Sequence, residues 1–358
     1  MICSSLLIIH APTGQFETPS LIICWLSAIH FGKNTMLRQT PLTCSGHTRP
    51  VVDLAFSKVR NNEYFLISAC KDGKPMLRQG HTGDWIGTYE GHKGAVWGVS
   101  LNADATRAAT GAADFCAKVW NASTGEELQT FNHPHIVKTV SFSPEGTELA
   151  TGGVDKVIRV FDLNKTDATP VCTIESHTGT VKRVCFLKHS QLVLSCSDDS
   201  TIRVHDRRCD MAVTKREFTA MVEDIEVSVD EKHVTVAEGK HVSFFDTERF
   251  EKVKEVTFTT RIHSASLEPD NTYFVCGGED FKIYKYDFAN CTELESYKGH
   301  FGPVHCVRYS PDGEIYASGS EDGTLRLWQS HIGKSYGLWK AVEGMEKPDA
   351  QKAEAAVI

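Results

Sequence analysis

One pattern recurs along this chain so regularly that it constrains the architecture before composition is considered. Gly-His pairs stand at Gly46-His47, Gly91-His92 and Gly299-His300, with Ser176-His177 as a variant. An aliphatic pair follows each histidine at a fixed offset: Val51/Leu54, Val96/Val99, Val181/Val184 and Val304/Val307. His133 opens the same pattern with Val137/Val140. Two further units keep the aliphatic residues without the histidine, Phe218 with Val222/Ile225 and Phe258 with Ile262/Ala265. The seven anchors, at 47, 92, 133, 177, 218, 258 and 300, lie 40 to 45 residues apart. A unit of that size cannot bury its apolar face alone, so neighbouring units must stack.

A second marker keeps the same register. An aspartate lies 22 residues after the anchor in five units, at Asp114, Asp155, Asp199, Asp280 and Asp322; in the first unit Asp72 lies 25 after His47. Six residues beyond it comes a bulky residue: Trp120, Phe161, His205, Tyr286 or Trp328. The intervening stretch alternates, as in Thr324-Leu325-Arg326-Leu327-Trp328, which reads as a strand. Ser-Pro-Asp-Gly at 310–313 and Ser-Pro-Glu-Gly at 143–146 mark turns.

This combination resembles the WD40 repeat family, with the closing Trp-Asp pair decayed to Trp120-Asn121, Phe161-Asp162, His205-Asp206, Tyr286-Asp287 and Trp328-Gln329. The resemblance implies an all-β fold. Each unit is a four-stranded blade, and the seven blades close into a propeller that protects its sheet edges by radial repetition. Pro41–Ser45 precedes the first Gly-His as Leu294–Lys298 precedes the last, and it has no blade of its own. It is therefore expected to supply the outer strand of the last blade. The fifth unit has Glu238-Gly239-Lys240 where the turn aspartate belongs and is expected to be the least rigid.

The chain of 358 residues is 41% hydrophobic and 23% charged, an ordinary globular make-up. Its net charge of −8 argues against a footprint built on phosphate neutralisation. No run of about 18 apolar residues suits a membrane span. The twelve cysteines contain no CxxC and read as reduced, mostly buried thiols. Residues 1–35 differ in kind, with one acid, Glu17, one base, Lys33, and two apolar runs. They match a signal peptide poorly and are expected to be a non-globular extension, disordered or not translated, with Met36 as the true start. The propeller is expected over 36–340, followed by a flexible charged tail at 341–358.

The sets His92, Thr110, Asp114, Trp120 and His300, Ser318, Asp322, Trp328 imitate a nucleophile with its base and orienter. Six of the seven units carry the set in whole or part, whereas an active site is needed once. These are read as structural fasteners, and no catalytic, metal or cofactor site is assigned. Gly333-Lys334-Ser335 lacks the first glycine of a phosphate loop, and His133-Pro134-His135 lacks companion ligands.

Function is then expected at the surface. In related WD40 proteins the residues three and five after the anchor face the top of the central channel. At the five-residue offset these are Val52, Trp97, Lys138, Lys182, Glu223, His263 and His305. Trp97 is the leading candidate for partner contact, with Lys138, Lys182 and Arg261 supplying charge for an acidic peptide and His305 beside them. Trp85 is a second choice. Met36–Phe56, Ile67–Gly80, Gly91–Trp97, Gly277–Tyr286 and Leu294–Trp328 also resemble, far more specifically, the serine-threonine kinase receptor-associated (UNR-interacting) family of WD40 adaptors.

That resemblance implies a non-enzymatic scaffold, monomeric within a larger complex and found in cytoplasm and nucleus. Its implied partners are survival-of-motor-neuron and Gemin subunits in snRNP assembly, a cold-shock-domain RNA-binding protein, and TGF-β receptors with inhibitory Smad. RNA is reached only through these partners. The alternative within the same fold is the WD40 subunit of translation initiation factor three.

Overall fold

The computed structural model describes residues 39–187, 191–208 and 212–331. The expectations for residues 1–35, for a start at Met36, for Gly333-Lys334-Ser335 and for the tail at 341–358 lie outside the described residues. Within them every regular element is a strand, and no helix is long and apolar enough to cross a membrane.

Seven antiparallel sheets of four strands each make up the propeller. Blade 2 shows the plan: Val96–Leu101 innermost, then Arg107–Ala112, Cys116–Asn121 and, outermost, Glu127–Asn132. Burial falls from the axis outward. Arg107–Ala112 is buried on both faces except at its first residue, while Glu127–Asn132 is largely exposed, so the inner strands read as apolar runs and the outer ones as polar.

Near the axis the blades approach so closely that the second strand of each carries a small residue where the next blade's first aliphatic residue packs. A Cβ added to Gly111 would come within 2.8 Å of Val137, and one on Gly319 within 2.6 Å of Val51. The second contact joins the last blade to the first and closes the ring. Blade 7 has three strands of its own, Val304–Tyr309, Ile315–Ser320 and Leu325–Gln329. Its fourth is Leu42–Cys44, paired Leu42 to Leu327 and Cys44 to Leu325, the latch expected from the sequence.

Two β-bulges recur in register. The outer strands of blades 1 to 6 each bulge at an exposed apolar residue: Ile86, Leu128, Val171, Val213, Val253 and Leu294. A bulge twists the edge away from flat pairing, which guards these six free edges against association. The second set of bulges lies on the innermost strands and shapes the channel mouth.

Candidate functional site

The fasteners come first, because they fix the loops around the mouth. In blade 2 the Trp120 indole N–H donates to Thr110 Oγ1 (2.9 Å), and the Thr110 hydroxyl meets His92 Nε2 (2.6 Å). His92 Nδ1 donates to Asp114 Oδ2 (2.8 Å), which also accepts the Lys93 amide (2.9 Å). Blade 7 repeats the chain through Trp328, Ser318, His300, Asp322 and the Phe301 amide.

The donors all run one way, which requires a neutral histidine. Burial supplies it, lowering His92 and taking His300 down to about 4 against the pull of the aspartates. Burial alone would raise Asp322. The Phe301 amide, the Thr324 hydroxyl and amide, and His300 outweigh it and hold the carboxyl at about 2. Thr110 and Ser318 are fully buried, so no substrate reaches either hydroxyl.

Elsewhere the chain is partial. Blades 1 and 4 keep His47–Ser68–Asp72 and His177–Ser195–Asp199, with Arg78 and His205 in the tryptophan's place. In blade 3 His133 holds Thr151 (2.9 Å), while Asp155 turns to Arg159 (2.5 Å). His135 accepts the Ile136 amide and stacks near Phe115, so the His133-Pro134-His135 pair does not converge. Blades 5 and 6 put Phe218 against Phe245 and Phe258 against Tyr286 instead. His47, Cys70 and Asp72 do bring three donor atoms within 4.8 Å of one another. Both His47 nitrogens are spent on Ser68 and Asp72, and burial pushes the Cys70 thiol up to about 12, so the set suits a fastener better than a metal.

Every innermost strand bulges at the residue five after the anchor. Val52, Trp97, Lys138, Lys182, Glu223, His263 and His305 are the seven bulged residues. A bulge re-aims its side chain, and these seven surround a cup of about 180 Å³ at the channel mouth. Its floor is an ion-pair network that ties blades 1, 4, 5 and 7 across the axis. Arg183 contacts Asp53 (2.5 Å) and Asp224 (3.4 Å), and Arg308 grips both oxygens of Asp224 (2.7 and 2.9 Å). Burial works against the Asp224 charge, but Arg308 and Arg183 overcome it and lower its pKa. Side chains of this layer also serve the free N–H groups of the next inner strand: Asp53 accepts from Val99, Thr139 from Val184 and Ser264 from Val307.

The mouth departs from the expected cationic rim. Lys182 is held by Asp198 (3.2 Å) and Glu223 (3.8 Å), and Arg261 pairs with the same Glu223. His305 is bound to Glu321 (2.6 Å), which also takes Lys71 (3.3 Å). Three of the five proposed contact residues, Lys182, Arg261 and His305, are therefore already engaged by acids of their own or the neighbouring blade. Trp97 and Lys138 differ. The Lys138 ammonium lies 2.9 Å from the Trp97 ring centroid and makes no ion pair among the described residues; Asp198, the acid it feels, is the one that holds Lys182. Burial, with Lys182 nearby, brings the Lys138 pKa down to about 7. The Trp97 indole N–H is buried without an acceptor among the described residues.

Trp85 is 60% exposed on the outer edge of blade 1, its N–H spent on Thr88. Sequence reasoning missed three apolar side chains on the face of the mouth. Phe301 is 84% exposed, next to the His300 fastener, and Phe115 and Phe281 follow turn aspartates with φ of 70° and 68°. A bulky residue in that left-handed region is strained. The available signal was a phenylalanine directly after the anchor or the turn aspartate.

Comparison with known proteins agrees with this geometry. The WD domain, G-beta repeat, matches residues 83–121, 125–162, 168–206 and 291–329. The serine-threonine kinase receptor-associated protein of Rattus norvegicus is 56% identical over 306 residues, covering 86% of this chain and 87% of the relative. The chain belongs to the serine-threonine kinase receptor-associated protein family. The Dictyostelium discoideum member is 44% identical over 81% of this chain and 98% of its own length. The eukaryotic translation initiation factor 3 subunit I of Nematostella vectensis is more distant, 27% identical over 80% of this chain and 95% of the relative. One unmatched stretch, 207–290, contains blade 5 and the three inner strands of blade 6, the two blades without a histidine fastener. The chain is thus a WD40 scaffold of a protein-interaction family.

Proposed function

We propose that the chain is a non-catalytic adaptor that docks a partner segment at the channel mouth, through Trp97 and Lys138. The observation that carries this is the pair of unspent donors there, an indole N–H without an acceptor and an ammonium without an ion pair among the described residues. A carbonyl or carboxylate of a docked segment would satisfy both and restore the lysine's charge. The exposed Phe115, Phe281 and Phe301 on the same face, the first two on left-handed backbone, supply apolar contact around it. The ion-paired floor holds the mouth in shape, and a scaffold that holds two partners raises their effective concentration.

The partners follow from the family. The relatives' name states association with serine-threonine kinase receptors. By the resemblance drawn from the sequence, the finer reading is a subunit of the survival-of-motor-neuron complex in snRNP assembly, in cytoplasm and nucleus, and a negative regulator of TGF-β receptor and Smad signalling. Affinity purification of the tagged chain tests it. Gemin and Sm proteins or receptor kinases are expected, and initiation-factor subunits in their place would overturn it. Trp97→Ala is expected to lose at least one of these partners by about 30-fold while the fold survives.

A further inference from the structure

Where the polar fastening stops, at blade 5, a cavity opens. A cleft of about 510 Å³ lies between the outer strand of blade 4 and the outer half of blade 5, a volume typical of ligand sites. Phe218 and Phe245 line it, edge to face at 5.9 Å, where blades 2 and 7 place histidine and tryptophan. Glu238 lines it too. That side chain is only 5% exposed, and its Oε2 has no hydrogen-bond partner among the described residues. In a fastened blade the turn carboxylate has no idle oxygen: Asp322 accepts from His300, from the Phe301 amide and from the Thr324 amide and hydroxyl. Glu238 pairs with Val222 in the register that Ser320 holds against Val304, so blade 5 places a buried carboxylate two residues before the position of Asp322, facing a cavity beside Phe218. Such an acid costs free energy unless a donor arrives from outside.

The lining says which donor. Four carboxylates, of Glu217, Glu238, Glu251 and Glu255, face two permanent cations, Arg216 and Lys252. Glu255 already meets Lys252 and His241, Glu217 meets Lys215 (2.6 Å) and Arg216 meets the Phe250 carbonyl (3.1 Å), so among the described residues Glu238 and Glu251 carry no ion pair and the excess charge is negative. Among the described residues the donor atoms that converge as metal ligands are at His47, not here. A buried carboxylate beside aromatic rings suits a planar cation that pairs through its edge and stacks through its face, which an ammonium does less well.

We propose that the blade 5 cleft receives an arginine side chain of a partner protein, its guanidinium pairing with Glu238 against Phe218 and Phe245. The cleft is a second contact, and it does not depend on the docking proposed at the channel mouth. The test is ligand-observed NMR of the full chain with the peptide Ac-Gly-Arg-Gly-NH2 and with its citrulline analogue, which keeps the shape and loses the charge. The arginine peptide is expected to bind at least about tenfold more tightly than the citrulline peptide, and Glu238→Gln to erase that difference. Thr219→Trp at the exposed entrance is expected to block binding while leaving the core untouched, which covers any effect of the first variant on folding. Trp97→Ala should change neither peptide's binding. Absence of binding to the wild-type chain, equal binding of the two peptides, or binding that survives both cleft variants would each overturn the proposal.

Discussion

Blades 2 and 7 on one side and blades 5 and 6 on the other solve the same packing problem with opposite chemistry. The first pair buries a continuous polar chain from tryptophan to aspartate, every member satisfied. The second buries aromatic area. Phe244, Phe258, Phe274, Phe288 and Tyr284 form one cluster, with Phe244 at 5.0 Å from Phe274 and 4.9 Å from Phe288. A complete polar chain adds little net energy but fixes geometry, because leaving any member unpaired is expensive. Aromatic area adds energy with little directional demand. The propeller thus needs something between inner loop and hairpin turn, but not one particular thing. Where aromatics take over, no histidine claims the acid at the hairpin: Asp280 takes the Tyr284 hydroxyl and the Lys282 amide, and Glu238 faces a cleft.

The largest expected effect tests the aromatic side. Phe274 is fully buried and touches both Phe244 and Tyr286. Phe274→Ala should cost about 3–5 kcal/mol in urea unfolding, the usual range for deleting a buried ring. Trp328→Phe in blade 7 keeps the ring and loses the indole N–H to Ser318, and should cost about 1 kcal/mol. If the two losses are equal, blades 5 and 6 are not held by area.

A matched pair of aspartates sharpens the polar side. Asp322 accepts four hydrogen bonds and should cost about 1–3 kcal/mol as Asp322→Asn, because the new amide points a donor at donors. Asp280 sits at the same turn of blade 6 with no histidine above it, and accepts from the Tyr284 hydroxyl (2.5 Å) and the Lys282 amide (3.3 Å). Asp280→Asn should cost about 1 kcal/mol or less. Equal shifts in melting temperature would mean that the turn itself, and not the histidine chain, carries the stability.

The ring, its seven blades and the latch at Leu42–Cys44 were legible because each blade spells the same anchors at the same offsets. The positions of the mouth residues were legible for the same reason, since one bulge recurs in every inner strand. Their charges in context were not. Arg261 finds Glu223, and Lys71 finds Glu321, across blade boundaries. A partner 38 or 250 residues away is set by the angle between neighbouring blades, which no local pattern records. The idle oxygen of Glu238 was hidden for a related reason, because its burial and the cleft it faces are made by the packing of blade 4 against blade 5.

The smallest effect separates the two chemistries by pH. In blade 7 burial depresses His300 to about 4, and the Phe301 and Thr324 donors hold Asp322 at about 2. In the unfolded chain the histidine takes its proton near 6.5 and the aspartate near 3.9. From about pH 6.5 down to 4 the unfolded chain therefore binds the extra proton at the histidine, and from about 4 to 2 at the aspartate. This blade loses stability throughout that fall. Glu238 runs the other way. Burial raises its pKa above 4.5, so the folded chain binds the extra proton and the group's contribution declines as pH rises through that window. Glu238→Gln should then raise the melting temperature at pH 7, by about 1–2 °C, and leave it unchanged at pH 4. Relative stability that is the same at both pH values would mean that Glu238 pays no desolvation cost, and the cleft would lose its reason for drawing a cation. A variant that instead gains stability at pH 7 and loses the arginine peptide shows a residue kept at a cost to the fold, as binding sites are.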